Sequence, residues 1–140
     1  KTTTGIDIST KLIERPELPE KMVENICPVL GVSDLKTSIQ FYTNILGFTL
    51  AWGGESGSAV CSVARDGGSI MLVLDTENRN SCVWIGLEDD RLFATASQRG
   101  ARVVQEPTNR PWAYEMKIID PDNNVLWLGT GPREDIPIAE

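Results

Sequence analysis

Four tryptophans stand against only three phenylalanines in 140 residues, and they are the side chains here best suited to holding a small molecule. An indole face stacks on flat aromatic groups and attracts cations, for roughly 0.5–2 kcal/mol per good contact. Trp112 follows Pro111 in a loop that leads into a strand-like stretch, and Glu115 comes soon after it. Strand alternation puts Cys82, Trp84 and Gly86 on one face and the aliphatic Val83, Ile85 and Leu87 on the other, so Trp84 looks away from the helices. The same alternation sets Val125 and Trp127 against Leu126 and Leu128. Trp112, Glu115, Trp84, Trp127, Tyr114 and Trp52 make up the candidate ligand-binding set. For Trp84, Trp127 and Trp112 the competing reading is ordinary packing. Trp52, ahead of a glycine-rich loop, reads as rim or core. Glu115 alternates with Lys117; it either meets a ligand amine or closes a surface ion pair.

Catalytic constellations are sparse. With no histidine, neither a Ser-His nor a Cys-His pair can be built. The run Gly53-Gly54-Glu55-Ser56-Gly57 lacks the lysine and following helix of a phosphate loop, and reads as a lid or a dimer-contact loop. Glu115 or Asp75 could serve as a base if desolvated. No partner that would activate Cys61 or Cys82 is visible in the sequence.

Composition narrows the class further. An apolar content of 41% suits one globular domain with a real core, and no apolar run approaches the ~20 residues that span a bilayer. The start, Lys1-Thr2-Thr3-Thr4-Gly5, lacks the layout of a secretory signal. Three widely spaced cysteines are an odd number, which points to reduced thiols and a cytoplasmic setting. A net charge of −7 opposes nucleic-acid binding and suits a cationic ligand, although acids that merely solvate the surface explain it as well.

These residues need elements to position them. Residues 1–25 hold prolines and mixed charge without a period and read as an N-terminal arm, with a short helix around Glu20–Asn25 after Pro19. Residues 26–32 read as a strand. Ser33-Asp34 caps a helix whose stripe is Leu35, Ile39, Tyr42 and Leu46, and Gly47 stops it. Phe48–Trp52, Ala59–Ala64 and Ser69–Leu74 are strands, the last two joined by a tight turn at Asp66-Gly67-Gly68. A second unit follows. Cys82–Leu87 is a strand, a helix opens at Glu88-Asp89-Asp90, Ala101–Gln105 is a strand, and Glu106–Arg110 is a loop. Tyr114–Ile119 and Val125–Gly129 then flank the turn Asp120–Asn124. Asp34 and Asp89 are 55 residues apart, Asp66 and Asp122 are 56 apart, and so near-constant an offset marks an internal repeat. The fold class is therefore α+β: two tandem βαβββ modules, about 26–75 and 82–131, within one domain spanning 26–140. Each module leaves a sheet face uncovered and must pack with the other.

Val32-Ser33-Asp34-Leu35, Phe41-Tyr42, Leu46-Gly47-Phe48 and Asp120-Pro121-Asp122-Asn123-Asn124-Val125-Leu126-Trp127 together resemble the vicinal oxygen chelate superfamily. That superfamily comprises glyoxalase I, extradiol dioxygenases, fosfomycin-resistance enzymes and bleomycin-resistance proteins. The resemblance runs from Ile26 to about Gly131 and implies two βαβββ modules curled around a shared cleft. The family's metal-ligand positions would fall near Cys27, Leu72, Cys82 and Trp127. Leu72 and Trp127 cannot ligate, and the two cysteines alone are too few, so they read as small buried apolar residues. The resemblance thus implies no metal and no cofactor. Trp112-Ala113-Tyr114-Glu115-Met116 through Asp120-Pro121 is similar to the Trp-Gly-x-Glu-Phe…Asp-Pro stretch of bleomycin-resistance proteins. That similarity implies a drug-stacking tryptophan and a sequestering homodimer.

The leading expectation is a metal-free binding protein for a cationic or flat aromatic, antibiotic-like molecule. Two alternatives stay open: an isomerase or lyase of the superfamily working through carboxylates, and a ligand-sensing or partner-binding module whose arm is the working part.

Overall fold

The computed structural model describes residues 17–75, 77 and 80–139. The first module is β1 (Val29–Val32), α1 (Leu35–Asn44), β2 (Thr49–Gly53), β3 (Val60–Arg65) and β4 (Gly68–Leu74). The second repeats it as β5 (Cys82–Gly86), α2 (Arg91–Gln98), β6 (Arg102–Asn109), β7 (Tyr114–Ile119) and β8 (Val125–Thr130). The sheets run β1-β4-β3-β2 and β5-β8-β7-β6, so both modules have one topology. In each, the first strand pairs parallel with the last and the other pairs are antiparallel. No described helix is long and apolar enough to cross a membrane.

Local chemistry explains the elements. Asp34 accepts from the Lys36 N–H at 3.0 Å and starts α1, and Gly47 adopts φ +74° just past its end, a conformation costly for other residues. Asp66 and Gly67 both take positive φ in the two-residue β3–β4 turn, which matches the twist of the flanking strands. Leu35, Phe41, Tyr42 and Leu46 bury against Leu30, Val32, Val63 and Leu72 from the first sheet; Phe93 and Ala96 of α2 join Met116, Ile118, Leu126 and Leu128 from the second.

Three expectations need correction. Residues 17–28 form neither helix nor strand, so the helix expected around Glu20–Asn25 is not there, and β1 begins at Val29 rather than Ile26. Residues 1–16 of the expected arm lie outside the described residues; residues 17–25 are exposed. The loop expected at Glu106–Arg110 is instead largely the end of β6. That strand passes through Pro107 because it is a sheet edge and its register shifts between Gln105 and Thr108, which spares the missing N–H.

The turn Asp120–Asn124 does more than join β7 to β8. Asp120 Oδ1 accepts from the N–H of Asp122 and Asn124, and Oδ2 accepts from Asn124 Nδ2 at 2.9 Å and from the Tyr42 hydroxyl of the first module at 2.8 Å. Asn124 Nδ2 also donates to the Gly31 carbonyl at 3.0 Å, and its Oδ1 accepts from the Ser81 N–H. Burial, with the Asp120 charge behind it, pushes the Tyr42 phenol well above its ordinary range, so it stays a donor. This buried latch joins the two modules.

Candidate functional site

The site grows from the open face of the second sheet. Val83, Ile85 and Leu87 pack on the core while Cys82, Trp84 and Gly86 face outward. Cross-strand pairing then builds two adjacent rows. One runs Trp84, Trp127, Lys117, Gln105 across all four strands; the next runs Gly86, Gly129, Glu115, Thr108. The first row carries bulk and the second leaves room beside it. Trp84 uses that room: a Cβ on Gly129 would overlap its Cη2 and stand 2.8 Å from Cζ3, while one on Gly86 would lie 3.2 Å from Nε1. The Trp84 ring therefore lies across the glycine row. It meets Trp127 edge-to-face, with centroids 5.2 Å apart and planes at 85°. Lys117 Nζ sits 4.7 Å from the Trp127 ring centre.

Glu115 organises the polar part. Its side chain is buried at 2% exposure, and its oxygens accept from Trp112 Nε1 at 2.7 Å and from Gln105 Nε2 at 2.9 Å. The Trp127 indole nitrogen, also buried, is close enough to favour the carboxylate charge but makes no hydrogen bond of proper geometry. Burial by itself would raise this carboxyl. The donors from Gln105, Trp112 and Trp127, together with the Lys117 charge, outweigh it and hold Glu115 below the usual glutamate range. Trp112 remains 62% exposed although its N–H is pinned. A large indole is thus displayed to solvent in a fixed orientation.

The sequence-derived set divides. Trp84, Trp127, Trp112 and Glu115 come together on this face. Tyr114 does not: alternation from Glu115 turns it to the other side, where it packs 5.3 Å from Phe93 under the Arg133 guanidinium. Trp52 stands on β2 in the first sheet, opposite Ser62 and half exposed. Among the described residues Glu115 forms no salt bridge with a basic side chain; the neutral donors Trp112 and Gln105 hold it instead. Lys117 enters here as more than an alternation partner. Gln105, Gly86 and Gly129 complete the site; the expected end of a strand at Gln105 hid its register.

The donor set does not fit a metal. Leu72 is buried beneath the first sheet, Cys27 precedes β1, and Trp127 belongs to the indole row. Cys82, expected to be buried, is exposed at the start of β5, whereas Cys61 is buried and its thiol is raised by that burial. Among the described residues no three Cys, Asp or Glu side chains gather as ligands. A groove of about 900 Å³ runs along the free edge of β5 between the modules, lined by Phe48, Arg65, Ile70, Leu92 and Arg99, with Trp84 shared between groove and open face.

Comparison with known proteins follows the same lines. The family model described as Glyoxalase/Bleomycin resistance protein/Dioxygenase superfamily matches residues 26–128. A comparison with curated protein sequences finds no match. Among solved structures, TioX from Micromonospora sp. ML1 is similar with a TM-score of 0.69 at 16% identity, over 76% of this chain and 98% of that one. TnmS3, described as an antibiotic binding protein from Streptomyces sp. CB03234, is similar with a TM-score of 0.68 at 26% identity, over 80% and 99%. A glyoxalase/bleomycin resistance protein/dioxygenase from Alicyclobacillus acidocaldarius gives 0.66 at 19%, over 80% and 95%.

Proposed function

Because the chain belongs to the glyoxalase/bleomycin resistance protein/dioxygenase superfamily, we propose that it binds a flat, aromatic, antibiotic-like molecule on the open face of the second sheet and sequesters it unchanged, without metal or cofactor. The observation that carries this reading is Trp112, more than half exposed and yet fixed by a 2.7 Å hydrogen bond to buried Glu115. An aromatic surface held in place before the ligand arrives spares the entropy of ordering it on binding. Trp84, lying on the glycine row, offers a second aromatic surface. Structural likeness to an antibiotic-binding protein supports the same reading.

The enzyme alternative has less support. The carboxylate at the centre of the face is held low and occupied by donors, which makes it a poor base at neutral pH. The cationic half of the sequence expectation also weakens, since Glu115 is buried and its charge is already compensated by Gln105, Trp112 and Lys117. We further propose a homodimer working in the cytoplasm. Its contact would use the open face of the first sheet, where Val29, Met71, Ser62 and Trp52 line up and Val29 and Trp52 are half exposed.

Titration with a panel of planar polycyclic antibiotics tests the reading. Tryptophan fluorescence should quench saturably, and the ligand should be recovered unaltered by mass spectrometry. Trp112→Ala should weaken binding by about 1–3 kcal/mol. Conversion of the ligand, or a Trp112→Ala variant that melts earlier but binds as before, would count against it.

A further inference from the structure

We propose that this face selects planar aromatic ligands carrying an anionic oxygen, a carboxylate or ionised phenol, at one edge, and that Lys117 makes the selection. The proposal rests on the binding reading above and adds the sign of the ligand's charge. The two charges on the face are not equivalent. Glu115 is 2% exposed and each of its oxygens already accepts a hydrogen bond, so its charge is compensated inside the protein. Lys117, two residues on and on the same face, is only partly buried, and its Nζ stands over Trp127. Among the described residues the ion pairs are Arg65–Asp66, Arg91–Asp89, Arg133–Asp90 and Arg133–Asp135, none of which uses this ammonium.

That ammonium covers the Trp127 ring, 4.7 Å from its centre, and leaves half-exposed Trp84, further along the same row, as the stacking surface. Trp84, Trp127 and Lys117 are consecutive in one row, so a flat ring laid on Trp84 turns one edge towards Nζ. An ammonium brings three donors, and the cation–π contact with Trp127 does not use them up. A charge-assisted hydrogen bond to an anionic oxygen is about twice as strong as a neutral one. The chain's net charge of −7 works against an anion at long range, so any preference for one must arise locally.

The test uses three probes of one shape on the full chain: anthracene-2-carboxylate, the neutral anthracene-2-carboxamide, and cationic 9-aminoacridine. The carboxylate should bind about tenfold more tightly than the carboxamide, the factor expected of one added charge-assisted contact. Lys117→Gln should bring that ratio to about one, and Lys117→Arg should restore it. A ratio of one in the unaltered chain, a ratio that survives Lys117→Gln, or a preference for 9-aminoacridine would each overturn the proposal while leaving aromatic stacking in place. Failure of all three probes to bind would overturn the stacking reading with it.

Discussion

Glu115 shows how a buried charge can serve a surface. Taking a carboxylate out of water is costly unless donors replace the lost hydration, and Trp112 and Gln105 do so. Glu115→Leu removes the acceptor for both and should lower unfolding stability by about 1–3 kcal/mol, while acrylamide quenching of Trp112 rises as the ring is released. Glu115→Gln should cost less, because Gln105 can turn its amide and offer oxygen to the new NH₂. The same carboxyl sets a pH dependence. Its folded-state pKa lies below the ordinary glutamate value of 4.5, so its contribution is complete above that value and is lost as pH falls through the lower, folded value. Urea unfolding between pH 3 and 6 should show this slope reduced in Glu115→Gln. The closeness of Trp112 and Glu115 was readable from their spacing. That they hydrogen-bond to each other was not, since spacing does not say which donor a carboxylate will take. Tyr114 lies apart from the other candidates for a related reason: one step along a strand reverses the face.

At the level of elements, the second sheet is a scaffold in which two glycines determine where an indole lies. Gly129 is buried, pairs with both Gly86 and Glu115, and leaves the space that the Trp84 ring fills. Gly129→Ala should push Trp84 off the row, cost about 1–3 kcal/mol as an overpacked site, and weaken a stacked ligand. Thermal melting and a ligand titration would measure both; a variant as stable and as tight as the parent would show that the ring has another resting place. Alternation within β5 and β8 was legible because Val83, Ile85, Leu126 and Leu128 mark the core face plainly. The length of β6 was not. Pro107 argues for a break in any sequence reading, and only the edge position and shifted register explain why the strand continues.

For the molecule as a whole, the 55–56-residue offset revealed two like modules, and both sheets do share one strand order. The sequence marked Asp120–Asn124 as a turn because Asp, Pro and Asn favour one; its grip on Tyr42 is a long-range contact that no local pattern announces. The proposed dimer belongs to this scale. Light scattering should give a mass near twice 15.4 kDa, and a monomer at every concentration would exclude the first-sheet contact. The latch has a further consequence, which concerns ancestry. Advancing Tyr42 by the repeat offset reaches Ser97, and moving Asp120 back reaches Ala64 or Arg65, none of which can reproduce a phenol–carboxylate pair. The latch therefore exists once, and the two halves have diverged into a lock and a key. A chain permuted to place the second half before the first would retain it, whereas a chain made of either half in duplicate would lose it.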